Sequence, residues 1–108
     1  MGEVRVDVLI RNLGDRLLAG RGLIPQGEVR ELVESAVVDT GATVSALPVA
    51  VVERLGLEIH GSDIVELADG VPHQLSITEP VEFVCMGRNV VEQCVVLGDD
   101  VLLGQIFL

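Results

Sequence analysis

Lysine, tryptophan and tyrosine are absent from this sequence, and two phenylalanines are its only aromatic residues. A core must therefore be built from valine, leucine and isoleucine. Valine is abundant and falls in short runs, which favours strands. Every basic residue is an arginine, and the seven of them face 17 acidic residues, for a formal net charge of −10. No basic face is available for a phosphate backbone, which argues against a nucleic-acid partner. Docking on an anionic membrane is disfavoured for the same reason. The acidity reads as a solvated surface; a preference for basic substrates is a second reading that the count alone does not support. Long apolar runs are missing too, and none approaches the ~20 residues of a membrane span. Near the N-terminus Glu3, Arg5 and Asp7 interrupt every candidate signal-peptide core, so the expected location is cytoplasmic. The two cysteines, Cys85 and Cys94, lack the spacing of a zinc site. A hairpin turning at Gly87-Arg88-Asn89 would pair Cys85 with Val90 or Glu92 and carry Cys94 further along. Free, buried thiols are the expectation.

What remains is one domain, residues 1–108, long enough to bury a core without metal or disulfide. Val4, Val6, Val8 and Ile10 alternate with Arg5, Asp7 and Leu9, the period of a half-buried strand. Glycines and Pro25 punctuate residues 12–27, which read as a long surface loop with at most a helical turn at Asp15–Ala19. Residues 28–38 read as a second strand ending in Ala36-Val37-Val38, and residues 44–47 as a short third. Pro48 opens a helix whose Val49, Val52 and Leu55 recur at helical spacing and which Gly56 closes. Residues 58–68 and 71–78 form a hairpin across Asp69-Gly70. A second hairpin joins residues 81–86 to 90–97. Val101-Leu102-Leu103 is a short buried strand ending at Gly104, and Gln105–Leu108 start a helix.

Asp39 closes the apolar run of the second strand. A structural carboxylate normally avoids such a place, because burying an unpaired charge is costly. Asp39 is thus either a cap for the turn or a chemical group. Thr40 and Gly41 let the chain turn sharply, and Thr43 adds a hydroxyl that can tie the turn down. His60 and His73 have no partners at useful spacing, and no role is assigned to them.

The run Val37-Val38-Asp39-Thr40-Gly41-Ala42-Thr43-Val44-Ser45-Ala46-Leu47-Pro48 resembles the active-site segment of retropepsin-type, retroviral-protease-like aspartic peptidases. Leu67-Ala68-Asp69-Gly70 is similar to the flap segment of bacterial and archaeal single-domain members. Val101-Leu102-Leu103-Gly104-Gln105 looks like the hydrophobic-Gly element that braces the active-site loop. The resemblance covers roughly residues 3–108. It implies a mostly β fold, a small closed acid-protease-like barrel with one short helix and a flap hairpin.

It also implies an aspartic endopeptidase. One motif per chain gives half of a two-fold site, so a homodimer would bring two Asp39 carboxylates together around a water. Thr40 would tie the two loops across the axis, Gly41 would expose backbone to substrate, and Ala42 and Thr43 would line the cleft floor. Ala68, Asp69 and Gly70 would form the flap over an extended peptide or protein substrate, while Leu102, Leu103 and Gly104 pack as support. No metal or organic cofactor is implied. Two departures stand out. Retroviral members continue through a helix and a dimer-forming strand, whereas this sequence ends at Leu108. They also place arginine where Gln105 stands. A non-catalytic binding or assembly module on the same fold is therefore the alternative.

Overall fold

The computed structural model describes residues 4–39, 41–67 and 69–104. Among them nine strands, β1 (Arg5–Asn12), β2 (Glu31–Val38), β3 (Ala46–Leu47), β4 (Ile59–Glu66), β5 (Pro72–Thr78), β6 (Val81–Cys85), β7 (Arg88–Glu92), β8 (Val95–Val96) and β9 (Val101–Leu103), form one sheet in the order β4-β5-β8-β3-β9-β2-β1-β6-β7. The fold is the expected mostly β one. The strand order ends at β4 and β7 without closing, so the sheet is a curled half-barrel and not a fully closed one.

β1 (Arg5–Asn12) lies between β2 (Glu31–Val38) and β6 (Val81–Cys85), antiparallel to both. Its alternation works as the sequence predicts: Val8 and Ile10 are fully buried, with Val6 half-buried against the core and Val4 exposed. Phe83, Val81, Leu47, Leu55 and Leu103 complete the centre of the core. Burial of such side chains contributes roughly 1.5–3 kcal/mol each.

Residues 12–27 are more ordered than a punctuated loop. α1 spans Leu13–Gly20, beyond the single turn expected. Asn12 explains why. Its Oδ1 caps the helix by accepting from the Asp15 N–H at 3.0 Å, and its Nδ2 donates to the Leu55 carbonyl at 2.8 Å. The buried Asp15 carboxylate then takes three bonds from Arg30, two from the guanidinium and one from the backbone N–H. A 3-10 turn at Gln26–Glu28 leads into β2.

β3 (Ala46–Leu47) precedes α2 (Val49–Arg54), with Pro48 as its N-cap. The buried face of α2 is Val51 and Val52, with Leu55 just beyond; Val49 is exposed. The helix is short and enters from a strand, so its orientation is set by that junction and not by its own periodicity. Gly56 (φ +61°) ends it, donating to the Glu53 carbonyl.

The first hairpin is β4 (Ile59–Glu66) and β5 (Pro72–Thr78). β4 is exposed along nearly its whole length, so the hairpin projects from the domain. In the second, β6 pairs with β7 (Arg88–Glu92), and Cys85 faces Arg88. The turn is therefore Met86-Gly87, one step earlier than expected. A two-residue turn of matching twist needs left-handed backbone at both positions, and both are left-handed (φ 52° and 73°).

Residues 90–97 are not one strand. β7 sits at one edge of the sheet, whereas β8 (Val95–Val96) pairs with β3 and β5 near the other. The chain crosses at Gln93-Cys94, where Thr78 and Cys94 exchange backbone and hydroxyl bonds. Both cysteines are free and buried. Burial raises the pKa of each thiol, that of Cys94 strongly. β9 (Val101–Leu103) runs parallel to β2 and antiparallel to β3, lying between them. Gln105–Leu108 lie outside the described residues.

Candidate active site

The position of β9 between β2 and β3 decides the geometry around Asp39. The connection from β2 to β3 must arch over the end of β9. Asp39 begins that arch. Its N–H donates to the Leu103 carbonyl at 2.9 Å, one bond beyond the Val38–Leu103 pairing. Its carboxylate Oδ1 accepts from the Gly41 N–H at 3.0 Å, and its carbonyl accepts from the Ala42 N–H at 3.1 Å. The turn therefore holds the carboxylate through one backbone donor, the Gly41 N–H, and the side chain itself remains exposed.

Gly104 passes beneath the arch. A Cβ there would lie 2.9 Å from the Val44 carbonyl oxygen and 3.0 Å from that of Ala42. Real Cβ atoms do not approach backbone so closely, so only glycine fits. Ser45, fully buried, adds a tie: its Oγ accepts from the Gly104 N–H at 3.0 Å. The expected support by Leu102, Leu103 and Gly104 thus has a physical form. Leu103 supplies a carbonyl and a core side chain, and Gly104 supplies clearance.

A cleft of about 480 Å³ opens above Asp39. Gly41, Ala42 and Thr43 line it beside the carboxylate, and Leu102 lines it too, as a contact rather than only a packing residue. Val65, Glu66 and Leu67 at the end of β4 form the facing wall. Val44, Ala46, Val95 and Leu97 complete a mainly apolar surface in which Glu66 is the second carboxylate. The motif alone did not single out Val65 and Leu67. Their spacing of two along the strand, with the charged Glu66 between them, was the available signal.

Asp69 and Gly70 do not line the cleft. They make the hairpin turn: Gly70 (φ +73°) donates to the Leu67 carbonyl, and Asp69 accepts from the Val71 N–H at 2.9 Å. His73 reaches the same carboxylate at 3.1 Å, a partner that sequence spacing did not suggest. The Val71 bond, with His73 next, holds the Asp69 carboxyl below its ordinary range. Thr40 and Ala68 lie outside the described residues. Among the described residues no three His, Cys, Asp or Glu side chains converge as a metal site, and no helix is long and apolar enough to cross a membrane.

The fold is that of the retroviral proteases. Two solved structures carry this. One is the EIAV protease complexed with the inhibitor HBY-793, at TM-score 0.68 and 19% identity over 98% of this chain and 85% of that one. The other is the solution structure of the Simian Foamy Virus (mac) protease, at TM-score 0.56 and 19% identity over 94% and 87%. The family model for gag-polyprotein putative aspartyl proteases matches residues 26–108. The chain belongs to that family and is an aspartic-type peptidase by class. No curated protein matches it closely enough to stand as a relative by sequence. None of these matches supports the narrower likeness to bacterial and archaeal members.

Proposed function

We propose that this protein is an endopeptidase in which Asp39 of one chain and Asp39 of a second chain activate a water between them. The observation that carries the reading is the placement of Asp39. It stands in a cleft, its carboxylate held by the Gly41 N–H, with no cation paired to it among the described residues. A single carboxylate cannot act as both acid and base on one water. A two-fold axis through the arches supplies the second. Two carboxylates that close share a proton and titrate as a pair. The ionised member takes a proton from the water while the protonated member donates to the scissile carbonyl. No metal or cofactor takes part in this scheme.

The single domain supplies one half of such a site. Thr40 links the two arches, Gly41 presents backbone to the substrate, and Ala42 and Thr43 form the floor. The β4–β5 hairpin is the flap, with Ala68, Asp69 and Gly70 at its tip and Val65–Leu67 on its inner side. It closes over an extended peptide and excludes water. The apolar lining suits apolar side chains on that peptide. The protein works as a soluble cytoplasmic homodimer, without nucleic-acid or membrane partners.

The test is digestion of a peptide library from acidic to near-neutral pH by wild type and Asp39→Asn, with sedimentation of both. Cleavage by the wild-type dimer alone is expected. Equal cleavage by both removes Asp39 from the chemistry, and a strict monomer that cleaves removes the dyad.

A further inference from the structure

A second concavity, about 460 Å³, shares no lining residue with the cleft above Asp39. α1, the 3-10 turn and the facing ends of β1 and β2 enclose it. Its volume lies in the range of small-molecule sites, ~300–1,000 Å³. Arg11, Arg16 and Arg21 line it. Glu82 explains how two of them are held. Its side chain is almost fully buried and takes the Arg11 Nη1 at 2.8 Å and the Arg16 Nε at 3.2 Å. Glu31 takes the Arg11 Nε at 3.0 Å. These contacts leave both Nη groups of Arg16 and the Nη2 of Arg11 without a carboxylate among the described residues. Arg21 pairs with no carboxylate among them at all.

We propose that this concavity binds a monoanionic carboxylate with an aliphatic body, supplied by a small acid or by a glutamate side chain of a peptide. Neutralising Glu31 and Glu82 takes two arginines, so Arg21 is in excess. Three guanidinium groups against two carboxylates leave one positive charge, in a chain whose net charge is −10. One negative charge matches that balance, and a phosphate dianion exceeds it. The C-terminal end of α1 at Gly20 adds partial negative charge to the wall, which weighs further against a dianion. A planar guanidinium fork fits a carboxylate through two parallel N–H bonds. Glu82 fixes the near side of two such forks before a ligand arrives, the arrangement that a binding site needs of its supporting groups. Leu17 and Val29 supply apolar wall for an aliphatic body, which accounts for a leucine that is 47% exposed on α1. The site does not depend on the reading of Asp39.

The experiment follows amide NMR of the full-length chain at low salt during titration with hexanoate, hexylammonium, inorganic phosphate and a capped tripeptide with a central glutamate. Hexanoate should move the Arg21, Gln26 and Val29 amides with a Kd on the order of millimolar. Hexylammonium should not move them, and phosphate should bind more weakly than hexanoate. Arg16→Gln and Arg21→Gln should each weaken hexanoate roughly two- to fivefold, the scale of partly exposed charge pairs. Both side chains are exposed, so both variants should fold. Leu17→Ala should weaken hexanoate and leave acetate unchanged. A peptide that binds more tightly than hexanoate identifies the peptide source, and the reverse order identifies a small acid. No shift at roughly 100 mM hexanoate overturns the proposal. So do unchanged affinity in both arginine variants, tighter binding of phosphate, an equal response to hexylammonium, or shifts confined to Gly41–Thr43.

Discussion

Around α1 the carboxylates sit against arginines, whereas around the Asp39 arch they do not. Glu82, buried in β6, receives Arg11 at 2.8 Å and Arg16 at 3.2 Å. Glu31 takes the Arg11 Nε at 3.0 Å, and Asp15 holds Arg30 at 2.8 Å. A second cleft, about 460 Å³, opens beside these pairs and is lined by Arg11, Arg16 and Arg21. It is nearly the size of the cleft above Asp39, so size does not distinguish them. Charge pairing does. Two of its three arginines are already engaged, while the Asp39 carboxylate has only the neutral Gly41 N–H as a donor among the described residues. A chain with a net charge of −10 has too few arginines to pair every carboxylate, and Asp39 is among those left without one among the described residues.

The sharpest way to break this comparison is to neutralise one carboxylate from each region. Asp39→Asn should abolish cleavage, by roughly a thousandfold or more in kcat, because it removes a reacting group. It should leave stability unchanged or raise it by about 0.5–2 kcal/mol, as relief of a functional site commonly does. Urea titration beside the peptide assay checks both. A drop in stability would make Asp39 a turn cap instead.

Gly104→Ala comes next. The added Cβ meets two backbone carbonyls that cannot rotate away. The expected cost is about 1–3 kcal/mol of stability from overpacking, with loss of activity as the arch is displaced. Full activity in the variant would show that the arch tolerates movement. Glu82→Ala tests the other end. Both of its arginines reach solvent, so the loss should be about 2 kcal/mol, below the full cost of breaking a buried pair. Its kcat should not change, and a changed kcat would join the two regions.

Much of this was legible in the sequence. The alternation of β1, the Asp-Gly hairpin and the apolar run into Asp39 each carry their structure locally. Local signals failed where the sheet overruled them. Residues 90–97 look like one strand, yet Gln93-Cys94 is where the chain changes partners across the sheet. Met86 gives no sign of its left-handed backbone, which the hairpin register imposes. α1 depends on Asn12 reaching Leu55, 43 residues away in sequence. Ser45 and Gly104 could not be linked before β9 was known to lie between β2 and β3. The motif at Asp39 was visible, but its support is nonlocal.

The smallest effects give the finest test, because the two regions should answer pH with opposite sign. Arg30, chiefly through its side-chain bonds, holds the Asp15 carboxyl below the ordinary range. In the folded state Asp15 ionises more readily than in the unfolded chain. Its contribution is therefore present above the ordinary carboxylate range and is lost as pH falls through the depressed folded value. Burial raises Glu92 instead. Below the ordinary range both states of the chain hold that proton, and Glu92 costs nothing. As pH rises the unfolded chain ionises first, so Glu92 disfavours the folded state above that range. Asp15→Asn should thus destabilise the protein at about pH 7 and much less as pH falls below about 4. Glu92→Gln should do the reverse, stabilising by on the order of 1 kcal/mol or less at about pH 7 and by nothing below about pH 4. Urea midpoints of the three proteins across that range decide the matter. Parallel pH curves for the two variants would mean that the two acidic groups are held alike.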